Sequence, residues 1–171
     1  MSLDLDVKLT KEIRLDNLLS NSKSEMIKLT NFYDIPELQG FLLKSGSKAI
    51  PKENYVLKPD DVIIIKFQDI SEEVNLIIIE MECMPLYVTE DEAGVWAGIS
   101  IQGDNIVKTF LALGIALSLS ALCDSNITDE RNFWCGERES SYNSFLAKMN
   151  NKKLLNAIQK SSDFKEFCKC S

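Results

Sequence analysis

The sequence predicts an α+β fold: an antiparallel sheet of about four to six strands packed on one long buried helix, with short helices at the C-terminal end. Three observations predict it. Segments 62–67, 74–83 and 94–102 are rich in β-branched and apolar residues, and short polar connections between them favour hairpins over crossovers. Segment 106–122 is apolar nearly all round, the pattern of a fully enclosed helix. Residues 140–171 carry apolar positions at helical spacing, with lysines between them.

At 171 residues the chain reads as a single domain, 1–171, in three parts: a mixed helical and extended stretch 1–52, a sheet with its core helix 53–139, and C-terminal helices 140–171. A chain of this size buries roughly 70% of its unfolded surface and needs no covalent staples. Leu5, Val7 and Leu9 alternate with charged residues and predict a short opening strand. Leu15, Leu18, Leu19, Met26 and Leu29 predict a helix over 15–29. Asp34-Ile35-Pro36-Glu37 has the form of an Asp N-cap with Pro in the first turn. Leu38, Phe41 and Leu42 follow at i, i+3 and i+4, so a second helix is expected there, ended by Ser45-Gly46-Ser47.

Residues 62–67 form a continuous β-branched run. In the next strand Ile77, Ile79, Met81 and Cys83 share one face, and Glu80 and Glu82 share the other. Residues 85–88 and 94–102 supply two further strands. Asp104 is placed to cap the long helix. Within it Ala112, Ala116 and Ser120 form a narrow stripe that would let the backbone lie close to the sheet, while Phe110, Leu113 and Leu117 fill the other side. Segments 142–149, 152–159 and 163–168 complete the chain as short helices with a basic outer face.

The uncharged run 109–123 is shorter than the roughly 20 apolar residues that span a bilayer, so a buried core helix is expected and no membrane partner. Residues 1–9 are polar and acidic, without the apolar core of a secretion signal. A cytoplasmic location is therefore expected. There Cys83, Cys123, Cys135, Cys168 and Cys170 remain thiols, the last two near a frayed terminus.

Charge is segregated. Residues 53–139 carry 17 Asp and Glu against 5 Lys and Arg, whereas 1–52 carry 7 against 8 and 140–171 carry 2 against 6. Such a field concentrates cationic partners and speeds their docking. It argues against nucleic acid, whose phosphates need clustered Lys and Arg. Glu90, Asp91 and Glu92 occupy an expected hairpin loop, and Asp124, Asp129, Glu130, Glu137 and Glu139 follow the core helix. Brought together, these residues would make one acidic partner-binding zone, in which Trp134, with Trp96 and Tyr87, could act as an apolar anchor. The plain alternatives are a solvated turn for the acidic run and a core position for Trp134.

Catalytic machinery is sparse. With no histidine in the chain, Ser-His and Cys-His nucleophiles and His-bearing zinc sites are excluded. No phosphate-binding glycine motif is present, and Gly94-Val95-Trp96-Ala97-Gly98 reads as a strand. No catalytic residue, metal ligand or cofactor is assigned. The alternative is a carboxylate-based enzyme or metal-binding protein using Glu80 and Glu82, which at ~3.3 Å rise per residue stand roughly 6–7 Å apart.

The segment 110–134 resembles bacterial toxin-immunity proteins, including those of contact-dependent growth inhibition. It has the Ala/Leu-rich helix of 111–120, then Ile127-Thr128-Asp129, a few polar residues and Trp134. The resemblance implies a small non-enzymatic protein of the bacterial cytoplasm that covers the active site of one cognate toxin domain. Many such toxins are basic nucleases, which an acidic inhibitor face would suit.

Overall fold

Alternating apolar and charged side chains make β1 (Ser2–Leu9) a strand with one inward face. Leu5 and Val7 are fully buried, and Asp4, Asp6 and Lys8 lie on the other side. The structure, a computed structural model, describes residues 2–84, 87–103, 105–129, 131 and 134–170. After β1 come α1 (Leu15–Thr30), β2 (Leu38–Lys44), β3 (Ser47–Ala49), β4 (Val62–Phe67), β5 (Glu73–Met81) and β6 (Gly94–Gln102). Then follow α2 (Ile106–Cys123), β7 (Ile127–Thr128), β8 (Glu139–Ser140), α3 (Tyr142–Lys148), α4 (Lys152–Lys160) and α5 (Phe164–Cys168).

The strands form one antiparallel sheet in the order β3-β2-β4-β5-β6-β1-β7-β8. It has eight strands, more than the four to six read from sequence. The additions are β2 and the short β3, β7 and β8, which run only three, two and two residues and are defined by neighbouring strands rather than by any pattern of their own. β4, β5 and β6 form the expected meander, and β1, the first element of the chain, lies between β6 and β7.

The helix expected after Asp34 is a correction: β2 occupies that stretch. Leu38 and Leu42 face the core two strand repeats apart, with Gly40 between them. Gly40 is needed for close approach, since a Cβ there would meet Leu15 Cδ2 of α1 at 3.0 Å. Burial against α1 and pairing with β4 outweigh the local i, i+3, i+4 pattern. The expected cap Asp104, and Pro85 and Leu86 of the expected strand 85–88, lie outside the described residues. Met84 and Val88 pair only as an isolated bridge. Asn105 caps α2, its side chain accepting from the Lys108 backbone N–H at 3.0 Å.

All five helices lie on one face of the sheet. α2 runs beneath β1, β5 and β6, buried from Ile106 to Ser120 except at Lys108. By length and composition it could cross a bilayer, yet 83% of it is buried inside this fold, as a core helix would be. α1 packs on α2 where α2 is narrowest. A Cβ on Gly114 would stand 2.6 Å from Met26 Cγ, and Ser118 Oγ reaches the Leu18 carbonyl at 3.5 Å. A close approach to α2 is thus made by α1 at Gly114, a residue outside the Ala112-Ala116-Ser120 stripe. Phe164 and Phe167 of α5 close the layer, with ring centroids 4.8 Å from Phe67 and 5.0 Å from Phe110 respectively.

Candidate partner-binding surface

Among the described residues no helix covers the opposite face of the sheet. Strand register sets its rows. Asp6 pairs with Gly98 and Gly98 with Ile77; Lys8 pairs with Trp96 and Trp96 with Ile79; Asp4 pairs with Ser100 and Ser100 with Asn75. Directly opposed residues share a face, so this surface runs from the carboxylates of β1, over the short side chains of β6, to the isoleucines of β5. The sequence reading grouped Ile77, Ile79 and Met81 correctly by alternation. The structure turns that group outward, because Val74, Leu76 and Ile78 take the core. Ile79 is 47% exposed, in the middle of the sheet.

The missing side chain at Gly98 makes a hollow in this face. A Cβ there would lie 3.0 Å from Asp6 Oδ1. The resulting cleft, about 370 Å³, is lined by Asp4, Asp6, Ile77, Ile79, Ser100 and, at its rim, Arg131.

The topology gathers several of the predicted residues at one end of the sheet. β5 ends, β6 begins, and β1 and α2 end on this side. There Thr10 Oγ1 donates to the Cys123 carbonyl at 2.6 Å, and Lys8 Nζ donates to the Asp91 carbonyl at 2.8 Å. Glu82, Glu90, Asp91, Glu92 and Asp124 emerge here and are exposed. Glu139 joins them from β8, its Oε1 accepting from Asn126 Nδ2 at 2.8 Å. Glu92 shapes the loop: its Oε2 accepts from the Thr89 backbone N–H and hydroxyl at 2.9 and 3.0 Å. These bonds, and to a smaller degree the Arg138 charge, hold its carboxyl below the usual range. Glu90 and Asp91 are left as exposed charges beside Lys8, whose ammonium sits 5.9 Å from the Trp96 ring centre.

Two predicted residues, Trp134 and Asp129, are buried instead of lying on this surface, and these are corrections. Trp134 is fully buried, packed against Phe145 of α3 at 6.2 Å between ring centres. Asp129 is 2% exposed because its carboxylate accepts the Trp134 backbone N–H at 2.6 Å, closing the turn that seats the indole. Glu137 is paired with Lys148 of α3 at 2.5 Å. Glu130 lies outside the described residues. Exposed apolar residues missed as anchors are Ile79 and, in the β5–β6 connection, Met84; Tyr87, named from the sequence, is 84% exposed. The outward parity of Ile77 and Ile79 was the one signal in the sequence that pointed to them.

Some charge is neutralised locally. Lys48 pairs with Glu73, Lys23 with Glu37 and Arg14 with Asp16. These pairs lie at the β2–β3 side and along α1, and none of them includes Glu90 or Asp91. Glu80 and Glu82 are both exposed at and beyond the end of β5. Among the described residues no group of three or more Cys, Asp or Glu side chains is placed to hold a metal ion. No protein-family model, curated protein or solved structure matches the chain.

Proposed function

We propose that this chain is a non-enzymatic inhibitor of the immunity type, which binds and neutralises a basic toxin domain in the bacterial cytoplasm. The observation that supports the reading is that exposed Glu82, Glu90, Asp91 and Asp124 follow the ends of β5 and α2 on the side of the sheet where β1 also finishes, with Glu139 bonded to Asn126 beside β7. These residues are scattered in sequence and come together only through the fold. Exposed carboxylates in one zone present to a cationic domain the charge a nucleic-acid backbone would present. The lack of histidine and the local resemblance to immunity proteins support the same reading.

The partner expected on this reading is the C-terminal domain of a long secreted protein encoded immediately upstream. Association of the two purified proteins is measured by stopped flow at rising NaCl. Steering predicts a rate that falls at least about tenfold between low and physiological salt. A rate indifferent to salt, or a genomic neighbourhood with no such toxin, would overturn the proposal.

A further inference from the structure

We infer that the uncovered face of the sheet, centred on Ile77, Ile79 and Gly98, is the docking surface itself, and that its occupant presents an arginine or lysine flanked by apolar side chains. The inference rests on the inhibitor reading for the identity of the partner, but its own argument is geometric.

An antiparallel sheet packed on one side ordinarily turns polar residues to water on the other. β1 obeys this rule with Asp4, Asp6 and Lys8, and β6 does so with Ser100. β5 breaks it at the sheet's centre, where Ile77, Ile79 and Met81 face outward and Ile79 is nearly half exposed. Trp96 lies beside Ile79 in the same row, and Met84 (53% exposed) and Tyr87 are exposed in the connection that follows β5. A contiguous exposed apolar area bordered by charge marks an interaction site.

Two occupants fit an apolar face: a second copy of this chain or a different protein. Charge separates them. A two-fold interface is isologous, so it would set Asp4, Asp6, Glu90 and Asp91 of one copy, with Lys8 and Arg131 as the cations beside them, against the same face of the other. With a chain charge of −7 and this local excess of carboxylates, that pairing is repulsive. A basic partner reverses the sign. The cleft over Gly98 has the shape and chemistry for one long cationic side chain: its aliphatic stem lies on Ile77 and Ile79, and its head reaches the carboxylates of β1. Lys8 and Arg131 at the margins would then yield to, or hydrogen-bond, the partner's own acceptors.

The test uses the full-length protein, ¹⁵N-labelled, and a synthetic amidated peptide alternating Leu and Arg. The same peptide with Glu for Arg is the control. Expected are saturable amide shifts confined to 4–8, 77–81 and 96–100, weakened by added salt, absent with the Glu peptide, and accompanied by a change in Trp96 emission. Ile79→Thr, which keeps the β-branch and adds no charge, is expected to weaken the Arg peptide by several-fold through loss of apolar contact while the protein stays folded. Gly98→Leu, which fills the hollow, is the second variant. Shifts on the helical face, equal binding of the Glu peptide, no saturable shift, or concentration-dependent dimerisation through this face would each overturn the inference. Peptide binding here without toxin binding would remove the inhibitor reading and leave the surface. Toxin binding with its footprint elsewhere would do the reverse.

Discussion

The Asp34 carboxylate, in the connection ahead of β2, accepts the backbone N–H groups of Phe164 (2.8 Å) and Lys165 (3.2 Å) at the start of α5. Asp163 satisfies a third N–H there, that of Glu166, at 2.8 Å. The first third of the chain therefore caps its last helix, and the cap holds Phe164 and Phe167 against Phe67 and Phe110. Asp34→Ala is expected to destabilise the protein by about 1 kcal/mol. Amide exchange should quicken at Phe164 and Lys165 but not in α2. Unchanged protection of α5 would show that the aromatic contacts alone hold it.

At Gly114 α1 and α2 approach closely. Replacing a helical glycine by alanine ordinarily stabilises by up to about 1 kcal/mol. Here the new Cβ would stand 2.6 Å from Met26 Cγ and 3.2 Å from the Ser22 carbonyl oxygen. Gly114→Ala is therefore expected to destabilise by about 1–3 kcal/mol. A double-mutant cycle with Met26→Ala checks the cause: the alanine should be less harmful once Met26 is shortened.

Asp129→Ala removes the acceptor for the Trp134 N–H inside a buried turn, with an expected loss of about 2 kcal/mol in urea unfolding and of near-ultraviolet ellipticity from the indole. Asp129→Asn adds a second readout. The Cys135 thiol is pushed up to about 11, first by burial and next by the Asp129 charge. The amide should lower it partway and quicken alkylation at pH 9, with burial still slowing the reaction.

Alkali should unfold this protein early. Burial, and after it the hydrogen bond to Glu25, push Tyr142 from the ordinary 10.0 to about 12. Burial raises Cys168 from 9.0 to about 11, as it does Cys135. A pKa raised by folding gives stability that is whole below the ordinary value and fades as pH climbs to the raised one. The urea midpoint is thus expected to hold steady up to about pH 9 and to fall between about pH 9 and 12. Tyr142→Phe and Cys135→Ala should flatten that fall. A midpoint that stays level to pH 12 would contradict the assignment.

Much of this architecture was legible where one local signal and the tertiary context agree. The β-branched runs of β4 and β6, and the all-round apolar α2, sit where the sequence puts them. Asp34 shows how a sound signal misleads: it is a helix cap, but for a helix some 130 residues later. The strand it precedes is decided by Gly40 under Leu15 and by pairing with β4, neither of which is local. The acidic zone was readable in part, because chain order already puts Glu90–Glu92 between two strands and Asp124 at a helix end. Asp129 and Trp134 were misplaced because a carboxylate that closes a turn and one that meets a partner look alike in sequence. The outward face of β5 needed knowledge of which alternating set the helices cover.

The outermost strands of the sheet, β3 and β8, span three residues and two. β3 pairs with β2 only at 42–44 and β7 with β1 only at 6–7, so among the described residues the rest of those two longer strands carries ladder positions that no outer strand takes. Lys44 and Lys48 put exposed positive charge on the β2–β3 border, which works against edge-to-edge stacking of copies.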